Sequence, residues 1–144
     1  MYVETILQTK GREVATLGPD DNVTTACKLL AAKKIGAIIV VDGLRRVQGI
    51  VSERDVVGAL ATHAENTGAL KLAGIMTREV VTCRAEDTIE HVMSLMTNHR
   101  VRHLPVLEGG DLIGIISIGD VVKNRLAETV LEAQVLRDYV MTGH

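Results

Sequence analysis

The chain has 144 residues, 47% of them hydrophobic and 24% charged, which suits one compact domain or two small half-domains and excludes two full-sized ones. Phe and Trp are absent and Tyr2 and Tyr139 are the only aromatic residues, so the core is aliphatic, with no rings for stacking single-stranded bases or caging a quaternary amine. The net charge of -2 lacks the basic footprint expected of a protein bound to duplex DNA or anionic lipid.

Met1 to Gly11 carries Glu4 and lacks the basic start and apolar middle of a signal peptide. Ala37–Val41 is among the longest apolar runs, far short of the ~18 residues of a membrane span. Cys27 and Cys83 are too few for a disulfide framework or a zinc site, and both read as small buried hydrophobes. The expectation is a cytoplasmic protein with no metal, no nucleic acid and no membrane contact.

The chain repeats itself. Asp21, Val23, Ala26 and Leu30 recur 66 residues later as Asp87, Ile89, Val92 and Met96. Gly49, Ile50, Ser52, Asp55, Val56 and Val57 recur 65 residues later as Gly114, Ile115, Ser117, Asp120, Val121 and Val122. The offset changes between Asp42 and Val47, in a turn, where length changes are tolerated best.

Each repeat predicts the same elements in order. A short strand lies near Ala15–Leu17 and Val81–Cys83. A helix follows over Asn22–Lys34 and Asp87–His99, with apolar residues at helical spacing, Met93 and Met96 among them as core. Asn22 or Asp21, and Asp87, are the predicted N-caps. Strands follow at Ala37–Val41 and His103–Leu107, then hairpins tipped by Asp-Gly or Gly-Gly, then return strands at Val47–Val51 and Leu112–Ile116. A last helix starts at Ser52 and at Ser117. The fold class is α/β (α+β): two pseudo-symmetric β-α-β-β-α units of roughly 60 residues, each too small to bury much surface alone and therefore packed sheet to sheet. The units are predicted as 1–66 with an N-terminal helix and 67–144 with an extended C-terminal helix. The linker Thr62–Ala73 is expected at the surface. Val122, Leu126, Val130, Leu136 and Val140 form a partial apolar stripe that covers the sheet or meets another subunit.

The sharpest motif is Gly-apolar-apolar-Ser-x-x-Asp, at Gly49–Asp55 and Gly114–Asp120, where a strand gives way to a helix. Ser52 or Ser117 beside unpaired amides at a helix start suits a phosphate. Asp55 or Asp120, one turn in, suits the cis-diol of a ribose through charge-assisted hydrogen bonds. The same pattern is also a capping box. The second candidate is Asn98–Val106, in which Arg102 and His103 face a phosphate at the mouth of an inter-repeat cleft or decorate a solvated helix end. His99 and Arg100 read as the solvated end. Repeat one has Gly36 and Ala37 where repeat two has Arg102 and His103, and Arg54 is the compensating cation where repeat two has Gly119. Lys10 is an anion contact or a mobile surface lysine. Thr77 contacts a base or caps a turn. Nucleotide-binding glycine loops, the nucleophile elbow and the zinc-protease helix motif are missing, and no base matches Ser52 or Ser117, so the chain does not read as an enzyme.

Ile35–Asp42 with Gly49–Asp55, and Val101–Glu108 with Gly114–Asp120, resemble a tandem pair of CBS (cystathionine β-synthase) domains, a Bateman module. The likeness spans nearly the whole chain, as in a stand-alone bacterial CBS-pair protein. The resemblance implies regulatory binding of AMP, ADP, ATP, S-adenosylmethionine or NAD(H) in clefts between the repeats, without a catalytic cofactor. It implies that Asp55 and Asp120 hold ribose hydroxyls and that Ser52 and Ser117 approach phosphate. Gly36 with Ala37, and Arg102 with His103, then line the two clefts, and Thr77 lies near the base. Relatives often carry a polar residue at the Gly119 position, where this chain has no side chain to contact phosphate. A flat homodimer and an unknown regulated protein are the implied partners. The alternative is a ligand-independent dimerisation or protein-interaction module.

Overall fold

The computed structural model describes residues 1–142; residues 143 and 144, with which the second predicted unit ends, lie outside them. The elements run α1 (Val3–Lys10), β1 (Thr16–Leu17), α2 (Val23–Lys33), β2 (Ala37–Val41), β3 (Val47–Ser52), α3 (Glu53–His63), α4 (Ile89–His99), β4 (His103–Glu108), β5 (Asp111–Ser117) and α5 (Ile118–Met141). Two short 3₁₀ turns, Ala64–Ala69 and Leu72–Gly74, join the repeats.

Local chemistry sets the helix boundaries. Asn22 caps α2 by accepting from the Thr25 N–H at 2.8 Å. Thr88, not the predicted Asp87, caps α4, accepting from the His91 N–H at 3.1 Å. Asp87 instead accepts from the Arg84 N–H in the turn before it, so α4 starts two residues later than predicted. Lys34 and Arg100 close α2 and α4 in the left-handed region, at φ 53° and 54°. Ile35 N–H then reaches the Leu30 carbonyl, and Val101 N–H the Met96 carbonyl, each at 3.1 Å.

In the first half β1 runs parallel to β2, and β2 pairs antiparallel with β3. In the second, β4 and β5 form a hairpin. The strand predicted at Val81–Cys83 shrinks to a single parallel bridge between Cys83 and Val106. Gly109 and Gly110, at φ 58° and 88°, supply the positive φ that a tight hairpin needs. In the first hairpin Arg45 takes that role instead of Gly43, while Asp42 Oδ1 accepts from the Leu44 and Arg46 N–H groups.

Two helix-backed cores result, and each borrows from outside its own repeat. Val23, Ala26, Leu30, Ile38, Val40 and Val51 are completed by Leu72 and Met76 from the connection between repeats. Ile89, Val92, Met96, Leu104, Val106 and Ile116 are completed by Val3, Ile6 and Leu7 of α1. Sequence order attaches α1 to the first unit, yet its buried face serves the second. Main-chain bonds repeat the exchange: Val3 N–H to Asp87 O at 2.9 Å and Val23 N–H to Leu70 O at 2.9 Å. The linker is accordingly not all surface. Leu72 is wholly buried, and Thr67, 3% exposed, satisfies its hydroxyl on the Ala64 carbonyl at 2.7 Å.

The motif glycines seat this exchange. A Cβ on Gly49 would lie 2.6 Å from Met76 Sδ and 2.9 Å from the Thr77 carbonyl. One on Gly114 would lie 2.7 Å from Leu7 Cδ2. On the opposite face of β2, Ala37 and Ile39 are also buried, and Pro105 is buried opposite Leu104 and Val106, as two halves packed sheet to sheet require. Met93, predicted as core, is 39% exposed because it falls on the outer side of α4.

α5 does not cover a sheet. After the buried Val121 its apolar stripe, Val122 to Val140, is 51–67% exposed. No helix among the described residues is long and apolar enough to cross a membrane.

Truncating Leu7 to Ala is expected to destabilise the chain by about 2–5 kcal/mol, as for any buried leucine, although the residue lies outside both repeated motifs. Gly49→Ala is expected to cost more than Gly114→Ala, since it meets a backbone carbonyl as well as a flexible side chain. Urea denaturation of the three variants checks both statements.

Candidate functional site: a charged cleft between the repeats

Both Ser-x-x-Asp motifs fold as capping boxes. Asp55 Oδ2 accepts from the Ser52 N–H at 2.8 Å and the Ser52 hydroxyl at 3.0 Å. Asp120 Oδ2 accepts from the Ser117 N–H at 2.9 Å, and the Asp120 N–H donates to Ser117 Oγ at 3.1 Å. Each aspartate is thus fixed at a helix start, half-buried.

A donor from outside the motif completes each cap, and here the halves differ. Thr77 pairs with β3 through two main-chain bonds to Ile50, at 3.0 and 2.9 Å, and its hydroxyl donates to Asp55 Oδ1 at 3.1 Å. Neither role weighed for Thr77, base contact or turn cap, includes this bond. At Asp120 the donor is Lys10. Its ammonium lies 2.7 Å from Oδ2 and 3.0 Å from the Ile115 carbonyl. Lys10 is therefore paired with a carboxylate and a carbonyl rather than standing free at the surface. It is the C-terminal residue of α1, held in reach by Leu7 in the second core.

A cleft of about 230 Å³ opens at the junction of the halves. From the first half come Gly36, Ile50, Ser52, Glu53, Arg54 and Asp55, with Thr77 from the connection. Arg100, Val101, Arg102 and His103 close it from the second. The resemblance implied Gly36 lining one cleft and Arg102 with His103 the other. They face each other instead: a Cβ on Gly36 would stand 3.1 Å from His103 Cε1 and 2.9 Å from Glu53 Oε1. Ala37 is buried in the β2–β3 pairing opposite Ser52 and does not line this cleft. Ser117, Gly119 and Asp120 lie outside its lining too, and Asp120 is bonded to Ser117 and Lys10 instead. Arg100, read as a solvated helix end, does line it, because its left-handed backbone turns the chain from α4 toward β4. Glu53 was missed. It has no counterpart in the second repeat, where Ile118 stands, so the search for repeated residues passed over it.

Glu53, Arg54 and Arg102 charge the cleft without a charged counterpart in the other repeat, whereas Asp55 and Arg100 correspond to Asp120 and Lys34. Arg54, Arg100 and Arg102 are exposed at its rim, and Glu53 and Asp55 stand among them. Burial pushes the His103 imidazole below its ordinary pKa, and the Lys10 and Arg102 charges push the same way against the opposing pull of Asp120 and Glu53. His103 is therefore neutral near pH 7, with one ring nitrogen able to accept and the other to donate. Burial raises the Asp120 carboxyl, but the hydrogen bonds from Lys10 and Ser117 outweigh it, and the net shift is downward. Of the cysteines, Cys83 is buried with its thiol pushed up to about 12, whereas Cys27, expected inside, is exposed on α2.

The CBS domain family matches this chain twice, over residues 6–62 and 72–127. A mitochondrial CBS domain-containing protein of Arabidopsis thaliana is 34% identical over 87% of this chain, which spans 63% of that protein. The CBS domain-containing protein YhcV of Bacillus subtilis is 29% identical, covering 87% of this chain and 88% of its own. Among solved structures, a CBS-domain containing protein from Agrobacterium tumefaciens superposes with a TM-score of 0.84 at 45% identity, covering 86% of this chain and 92% of its own. The CBS domain pair of protein MJ0100, solved with 5′-methylthioadenosine and S-adenosyl-L-methionine, shares the fold with a TM-score of 0.79 at 24% identity, covering 89% of this chain and 98% of its own.

The lowered pKa of His103 fixes a sign. The unfolded chain binds the proton near pH 6.5 and the folded chain only at lower pH, so stability is complete above about 6.5 and declines as pH falls through that window. His103→Gln is expected to flatten this decline between pH 7.5 and 5.5, measured as the urea midpoint at each pH. The doubled match, the exchanged cores and the paired capping boxes place the chain in the CBS-domain family, as a tandem pair.

Proposed function

We propose that the inter-repeat cleft binds an adenosine-containing nucleotide and that the module signals its occupancy to a regulated protein. One observation carries this reading: a carboxylate fixed by three donors, Asp55, shares a small cavity with three arginines. A ribose diol and a phosphate are the groups that such a pair recognises together. The volume of about 230 Å³ is below the ~300–1,000 Å³ of most ligand pockets, so the nucleoside fits inside with its phosphates at the exposed arginines. The adenosine-derived molecules held by the MJ0100 pair support the class of ligand. AMP, ATP, NAD(H) and S-adenosylmethionine all belong to it.

The role is binding, not catalysis. Ser52 and Ser117 spend their hydroxyls in capping boxes rather than beside a base. The working form is a homodimer, since the outer faces of α3 and α5 leave Val57, Leu60 and Leu126 more than half exposed, and the proposed compartment is the cytoplasm. That same surface favours the second reading, a dimerisation module that needs no ligand.

Isothermal titration with AMP, ATP, NAD, NADH and S-adenosylmethionine is expected to find binding below millimolar, with a matching rise in melting temperature. Asp55→Ala is expected to weaken it at least about ten-fold, from the loss of a charge-assisted hydrogen bond, and to cost about 1 kcal/mol of stability from the lost cap. No binding below millimolar rejects the sensing function. Leu126→Glu with Leu136→Glu is expected to give monomers in sedimentation whether or not nucleotide is present.

A further inference from the structure

α5 outlasts the half it belongs to. The family match ends at residue 127, but the helix runs on to Met141, whereas α3, its counterpart in the first repeat, stops at His63. Up to Glu128 one side of α5 lies on the body, where Val121 is buried and Asn124 and Glu128 are half-buried. From Thr129 onward every described residue is exposed. A helix this short is marginal in water unless an apolar face is packed. Thr129, Val130, Val135, Tyr139 and Val140 are also weaker helix formers than Ala or Leu.

Two apolar lines run along this extension, and they differ in charge. The line that faces the body continues from Glu128 through Leu131 and Val135 to Asp138, so a helix seated there would bury two carboxylates. The opposite line is Val122, Leu126, Thr129, Ala133, Leu136 and Val140, with no charged residue over about five turns. Its steps alternate between four and three residues, the repeat of a coiled-coil seam. Glu132 and Arg137 flank that seam on its two sides. Among the described residues neither has an ion-pair partner. Spacing denies them one within the helix: Glu128, Thr129, Val135 and Leu136 lie a turn from Glu132, and Ala133, Gln134, Val140 and Met141 a turn from Arg137.

We propose that this line of α5 is the seam of a parallel, two-stranded coiled coil with a second copy of the chain, and that Glu132 and Arg137 set its direction. In a parallel pair held in register, the residue just before a seam position lies against the residue five further on in the other copy. Glu132 and Arg137 are five apart, so each glutamate meets the other copy's arginine, and symmetry makes the pair twice. Reversing one helix sets each flank against the same flank of its partner, and the two charges no longer meet. The proposal rests on the homodimer reading and gives that dimer a direction and a register; it holds with or without a nucleotide.

The test is a charge exchange read by sedimentation on the full chain. Glu132→Arg alone and Arg137→Glu alone set like charges together and are each expected to weaken the dimer at least about five-fold. An equal mixture of the two variants is expected to form heterodimers about as tight as the wild-type dimer, a rescue that a merely damaged helix would not show. Direction is read by disulfide formation in a Cys27→Ser background, since Cys27 is exposed. Leu126→Cys and Val140→Cys, tested separately, are each expected to link to the same residue of the other copy, because a parallel register brings both positions within bonding distance. A wild-type dimer that either charge variant leaves unchanged, a mixture without heterodimers, or a link at only one of the two cysteine positions overturns the coiled coil. A wild-type chain that sediments as a monomer overturns the homodimer reading itself, a result distinct from those three.

Discussion

The structure depends on one close contact made twice. An apolar side chain from the segment before the neighbouring unit lies on a glycine in the return strand: Met76 on Gly49, and Leu7 on Gly114. Only a residue without a Cβ allows that approach. Each contact closes a core that the repeat cannot close by itself, which is how units of roughly 60 residues become stable together. The same contact sets the chemistry. Thr77 follows Met76 directly, and Lys10 lies one helical turn beyond Leu7. Closing each core therefore delivers one donor to each capping aspartate.

Repetition builds the frame and divergence builds the site. Gly, Ser and Asp recur in both halves and are spent on close packing and helix capping. Much of the charge in the cleft comes from groups that do not recur, beside Asp55, which does, and Arg100, which Lys34 matches. Glu53 and Arg54 stand where the second half has Ile118 and Gly119, and Arg102 and His103 stand where the first has Gly36 and Ala37. Facing the two halves brings these unshared residues to one side of the seam. Gly36 leaves the room that His103 occupies. Arg100 is held there at some conformational cost, because a non-glycine residue in the left-handed region is strained by about 1 kcal/mol.

Much of this was legible from the residues alone. Periodicity located α2, β2, β3, α4, β4 and β5 to within two residues, because each carries an apolar pattern bounded by a cap or a turn. The failures share one cause. The strand at Val81–Cys83, the cap at Asp87, the exposed Met93 and Cys27, and the buried Thr67 and Leu72 all turn on what packs against a residue. Hydrophobicity is a property of the side chain, but burial depends on a neighbour.

The duplicated architecture, the family and the residue types at the capping boxes are written in the order of the residues. Those follow from local rules: spacing, capping and turn chemistry act over a few residues. Tertiary structure decided which half each segment completes, that Gly36 meets His103, and that Lys10 rather than a second Thr77 reaches the other aspartate. These are contacts between residues 67 and 110 positions apart, and no local preference encodes them. They arise because α1 finds its apolar seat in the far repeat and carries its terminal charge with it.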